Sequence, residues 1–184
     1  RHKNKVNEYY TKIDYSKMSF DQTYAMMRII YEYVRDAEMG EAIFGKFDIS
    51  KLNDTQRNTL QGYFWSRSLN IVERICASFD DKDWGRFELL KFYKYRSLFD
   101  KALPLADEMI KVPKYANPAV LMKAQMLQEL SRYAEAIEAY KLYQPPSPHQ
   151  SLYPIAACYA SMGRLNAAIS QLTEVENFYK GHAS

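Results

Sequence analysis

Histidine and cysteine are scarce in this chain, and with them the usual material of catalytic and metal sites. Among 184 residues there are 3 histidines and 2 cysteines. His2 and His182 lie near the ends and His149 beside a proline-rich run, so no HExxH pair or zinc-ligand spacing arises. Cys76 and Cys158 fall at apolar helical positions without a CxxC partner, which predicts two buried thiols and mildly favours a reducing compartment. Glycine is also rare, at 6 residues, and neither a Gly-rich phosphate loop nor a nucleophile elbow is present. No apolar run approaches the roughly 18 residues of a membrane span, and no signal peptide is recognisable. Strand-like alternation never persists beyond a few residues, which points to an all-α fold. The paired carboxylates Glu135/Glu138 and Glu174/Glu176 fall on exposed helix faces and read as solvated charge. The expectation is a protein that is not an enzyme, with no cofactor and no metal.

Charge is nearly balanced as well. The net charge is +3. Residues 1–18 account for all of it, with Arg1, Lys3, Lys5, Lys12 and Lys17 against Glu8 and Asp14. A nucleic-acid-binding domain would spread its cations over one face, so that class is disfavoured. The opening Arg-His-Lys-Asn-Lys reads either as a solvated chain end or as a juxtamembrane segment following a span on the cytoplasmic side. Any membrane contact would then come through a segment outside this chain, and the expected location is cytoplasmic.

What is abundant is tyrosine, 16 residues in a chain 47% apolar and 15% aromatic, far from a disordered composition. Ser19-Phe20-Asp21-Gln22 marks a helix start. Tyr24, Met27, Tyr31 and Val34 form one apolar face running to about Glu38, with Gly40 as the stop. Asp54 is expected to cap a second long stretch carrying Leu60, Phe64, Ile71 and Ile75, ending at Asp80-Asp81-Lys82-Asp83.

From residue 84 a period takes over. Phe99–Ala106, Tyr133–Tyr140 and Leu165–Leu172 recur in register, and the small residues Ala102, Ala136 and Ala168 are spaced 34 and 32 apart. Helices are predicted at about 84–96 with 99–111, 117–130 with 133–143, and 151–162 with 165–180, with Ser97, Ser131 and Gly163 at equivalent turns. Pro113, Pro118 and the run Gln144–Pro148 are expected to punctuate the connections. Counting back 34 from Ala102 and Met109 reaches Ser68 and Ile75, the trace of an earlier unit over 54–79.

These units resemble the tetratricopeptide repeat family, clearly over about 117–176 and more weakly over 84–116. The middle unit carries the pattern as Val120, Ala124, Leu127, Tyr133, Ala136, Tyr140 and Pro148; the last carries it as Leu152, Ala156, Tyr159, Gly163, Leu165, Ala168 and Leu172. The first unit departs from it at Arg86 and Leu90 and by placing Pro104 within its second helix, and Tyr143 replaces a usual Ala. The resemblance implies a right-handed superhelical solenoid of antiparallel helix pairs over 84–184, preceded by a divergent helical region or cap at 19–83 and the basic segment 1–18. Other two-helix repeats with similar periods, RNA-binding ones included, share this signature.

In such a solenoid the first helices line a groove. That makes Trp84, Phe87, Lys91, Lys94 and Tyr95, then Leu121, Gln125 and Gln128, then Tyr153 the candidate protein-binding residues, with Ala157 and Ser161 beside them. Trp84 and Phe87 would equally serve as core or cap. A carboxylate clamp is not supported, because Phe87 and Leu121 stand at its inner sites. Leu172, Val175, Phe178 and Tyr179 carry an apolar stripe almost to Ser184 with no polar cap behind it, so more chain, a partner helix or a second copy is expected on that face. The function this implies is a scaffold or adaptor for a protein or peptide partner. A regulatory subunit of an enzyme or of a secretion or glycan-export complex is the alternative, and an RNA-binding repeat the next.

Overall fold

The computed structural model describes Tyr10 and residues 12–181, and among these the chain is all-helical with consecutive helices packed in pairs. It divides into two compact units, Arg1–Leu89 and Leu90–Ser184.

In the first unit Ser19 begins α1 (Phe20–Arg28) through a capping box: its Oγ accepts the Gln22 N–H at 3.3 Å, while Gln22 Oε1 accepts the Ser19 N–H at 2.9 Å. The helix does not run on to Glu38. It widens into a π-helical stretch over Ile29–Val34 and breaks at Arg35, whose φ of 55° is left-handed. Asp36 then caps α2 (Ala37–Gly45), accepting the Met39 N–H at 3.0 Å. Gly40 is therefore inside a helix and not a stop: a Cβ there would lie 2.3 Å from Tyr31 Cε2, so its role is close approach to that ring.

The second expected stretch is two helices, α3 (Asp54–Phe64) and α4 (Leu69–Ser78), packed on each other. The cap of α3 is Asn53, one residue before the expected Asp54, in a capping box with Gln56. Ser68 caps α4 and also donates to Glu41 Oε1 at 2.6 Å, while Asn70 Nδ2 reaches Glu41 Oε2 at 2.8 Å, so one carboxylate fastens α2 to the start of α4. Leu60, Phe64, Val72 and Ile75 are fully buried, with Phe64 edge-on to Phe44 and Tyr31. Arg57 and Gln61 are buried too; Arg57 Nη1 meets Asp54 at 2.7 Å, and Gln61 Nε2 donates to Glu88 at 3.2 Å.

Helix α5 (Lys82–Tyr95) spans the division between the units. The second unit continues with α6 (Phe99–Met109), α7 (Pro113–Glu129), α8 (Tyr133–Leu142), α9 (His149–Ser161) and α10 (Leu165–Gly181), each packed on the next, a helical solenoid. Helix α7 starts four residues before the expected 117, with Pro113 in its first turn, where a missing N–H does no harm. Pro118 therefore lies within a helix and not in a connection.

The three inner turns are alike. Ser97, Ser131 and Gly163 have φ of 53°, 58° and 72°. After each, the N–H of Leu98, Arg132 or Arg164 reaches back to the carbonyl of Tyr93, Leu127 or Tyr159 at 2.9, 2.8 and 2.9 Å, closing a Schellman motif. The small residues at the helix crossings, Ala102, Ala136 and Ala124, are fully buried, and Ala156 and Ala168 nearly so. Ala124 and Ala136 share one core cluster with Ile137, Tyr140, Ile155 and Cys158.

Candidate protein-binding surfaces

The second unit presents a polar cavity of about 580 Å³ that touches the first helices of three successive pairs. Lys94 comes from the last turn of α5, Gln125, Gln128 and Glu129 from α7, Ser161 from the end of α9, and Tyr133 and Tyr140 from α8. The repeat explains this convergence: Lys94 and Gln128 are 34 residues apart and Glu129 and Ser161 are 32 apart, so each pair occupies equivalent helical positions on neighbouring units.

Tyr140 donates its hydroxyl to Gln128 Oε1 at 2.8 Å. This leaves the two amide N–H groups of Gln128 for a ligand. Burial, and then the proximity of Cys158, pushes the Tyr140 phenol up to about 12, so it remains a donor at any physiological pH. With an ammonium and amide donors from Lys94, Gln125 and Gln128, and acceptors from Glu129, Tyr133 and Ser161, the cavity can satisfy the alternating N–H and C=O groups of an extended peptide.

Of the residues expected from sequence, Lys94, Gln125, Gln128 and Ser161 meet in this cavity. Trp84 and Lys91 are half-buried and Tyr95 is exposed. Phe87 belongs to the first unit and is only 9% exposed, so it packs inward and offers no groove surface, a correction to its expected role. Leu121 packs against the core cluster. Tyr153 is exposed, with its ring 6.0 Å from that of His149. Glu129, Tyr133 and Tyr140 were missed as lining residues; Glu129 was legible from its register with Ser161, 32 residues on, whereas Tyr133 and Tyr140 reach the cavity from the second helix α8, which has no counterpart among the expected groove positions.

At the other end of the unit the expected stripe divides. Val175 is buried within its own chain and drops out as interface, another correction. Phe178 is half-buried edge-on to Tyr179, whose hydroxyl meets His149 Nδ1. Leu172 is exposed, and Leu165 and Ile169, not among the interface residues expected from sequence, continue its face. On α6 to α8 a separate apolar cavity of about 410 Å³, also unforeseen, is lined by Ile110, Val120, Leu127, Ala134, Ala139 and Leu142 together with the charged Lys123, Glu135 and Glu138.

Among the described residues no group of His, Cys, Asp and Glu could hold a metal, and no helix is long and apolar enough to cross a membrane. Cys76 and Cys158 are buried and in no disulfide, and burial raises the Cys158 thiol. The basic residues Arg1, Lys3 and Lys5, together with His2 and His182, lie outside the described residues.

Solved structures of MamA, a tetratricopeptide-like helical protein, share this fold. MamA AMB-1 in crystal form P212121 aligns with a TM-score of 0.58 and 18% identity, covering 86% of this chain and 98% of its own. MamA MSR-1 in form C2 aligns with a TM-score of 0.60 and 17% identity over 89% and 98%. No family model matches the chain, and no curated protein matches it by sequence. At such identities the likeness shows the fold alone.

Proposed function

We propose that the chain is a non-catalytic protein-interaction scaffold that holds an extended segment of a protein partner in the polar cavity of its second unit. One observation carries this reading: successive repeats bring Lys94, Gln125, Gln128 and Ser161, with their donors and acceptors, to the lining of one cavity. The buried thiols fit a reducing, cytoplasmic setting. The exposed face of α10, with Leu165, Ile169 and Leu172, supplies a second contact surface for a protein, a further copy of the chain included.

A display library of peptides, selected on the wild-type chain and counter-selected on a Lys94→Ala, Gln125→Ala, Gln128→Ala variant, tests the cavity. Enriched peptides should bind the wild type and lose at least roughly tenfold in affinity on the variant, the scale of a few lost polar contacts. Peptides that bind both equally, or no enrichment at all, would refute it.

A further inference from the structure

The outer faces of α8 and α10 are built alike and end differently. Ile137 and Tyr140 of α8 are 3% and 2% exposed, clustered with Ile155 and Cys158 of α9. Their counterparts 32 residues on, Ile169 and Leu172 of α10, are 61% and 44% exposed, and Leu165 in the same stripe is 62% exposed. Helix α9 covers α8 by running back along it and offering apolar side chains at i and i+3, Ile155 and Cys158. Ile169 and Leu172 have that same spacing, so α10 both needs such a cover and is one.

We propose that α10 is a homodimer contact, packed antiparallel on α10 of a second copy with Ile169 of each protomer against Leu172 of the other. This rests on reading the α10 face as a contact surface. Around that two-fold centre, Leu165 and the adjacent Arg164 of one protomer come opposite Glu176 of the other. Arg164 is exposed and engages no carboxylate among the described residues, while Glu176 holds only an exposed pair with Lys180 of its own helix, so Arg164 can join that carboxylate across the two-fold. Parallel packing would instead set Glu174 and Glu176 beside their own copies, a like-charge arrangement. A single helix face is smaller than the roughly 800 Å² per partner of a standard stable interface, so the dimer forms with rising concentration and is not permanent.

Sedimentation velocity from low to high micromolar protein provides the test. The wild type should shift from monomer to dimer, and Ile169→Asp should remain monomeric. Arg164→Glu and Glu176→Arg should each weaken the dimer by roughly tenfold, and the double swap should restore it. All three positions are exposed, so far-ultraviolet circular dichroism should be unchanged, and Ile169→Gln serves if the aspartate variant unfolds. A wild type that stays monomeric throughout overturns the proposal, whatever else binds α10. A dimer indifferent to Ile169→Asp, or a double swap that fails to restore pairing, overturns it as well. Peptide capture at Lys94 and Gln128, measured on the same variants, reports separately on the cavity, so the dimer can fail while that reading stands.

Discussion

Tyr140 donates its hydroxyl to Gln128 Oε1 across the α7–α8 packing, at the edge of the polar cavity. The bond lies where core and candidate site meet. Tyr140→Phe should lower stability by about 0.5–1.5 kcal/mol, the net worth of one such bond. It should also change the alkaline limb. Burial holds Tyr140, and Tyr31 in the first unit, up to about 12, against about 10 when unfolded. The folded chain therefore keeps protons that the unfolded chain releases: this stabilisation is complete below about pH 10 and is lost as pH rises through about 12. Urea denaturation across that window should show the variant losing less stability with pH than the wild type. Parallel slopes would mean that Tyr140 titrates normally.

The inner turns offer a second prediction. Ser97 occupies a left-handed conformation that its equivalent, Gly163, adopts without a Cβ penalty. Ser97→Gly should stabilise the chain by about 0.5–1 kcal/mol, and Gly163→Ala should destabilise it by about 1 kcal/mol. Ser131→Gly should gain less, because Ser131 Oγ accepts the Tyr133 hydroxyl at 3.2 Å. Denaturation midpoints of the three variants rank these effects directly.

These turns were legible in the sequence because a period of 34 and 32 residues places Ser97, Ser131 and Gly163 at one structural position. The break at Arg35 was not, since a π-helical turn adds one residue per turn without altering composition, and the apolar face through Tyr31 and Val34 reads as continuous. Gly40 misled for a related reason: glycine marks a helix end by its conformation, but here it is needed for its missing side chain beside Tyr31. Phe87 and Val175 show the limit at the surfaces. Helical spacing assigns a residue to a stripe, whereas whether that stripe is covered depends on the neighbouring helix, as Ile137 and Ile169 show at equivalent positions.

Glu41 links α2 to α4 through Ser68 at 2.6 Å and Asn70 at 2.8 Å, and the two donors are not equivalent. Ser68 is buried and also caps α4 through the Ile71 N–H. Ser68→Ala should lower stability by about 2 kcal/mol, combining a lost cap with a lost hydrogen bond to a charged acceptor. Asn70→Ala, at an exposed position, should stay within about 0.5 kcal/mol. Similar losses in the two variants would place the energy in the Glu41 bonds and not in the cap.

Two alanines two residues apart on α8 isolate the packing constraint behind the repeat. Ala136 is fully buried at the crossing with α7, whereas Ala134 is exposed and borders the apolar cavity lined by Val120 and Leu127. A leucine has room at one site only. Ala136→Leu should overpack the crossing and lower stability by about 1–3 kcal/mol, while Ala134→Leu extends into open cavity space and should change it by no more than about 0.5 kcal/mol. Thermal melts of the pair give the comparison. Equal tolerance at both sites would mean that the helices can spread apart, and that the small residue at every 34th or 32nd position is not what sets their separation.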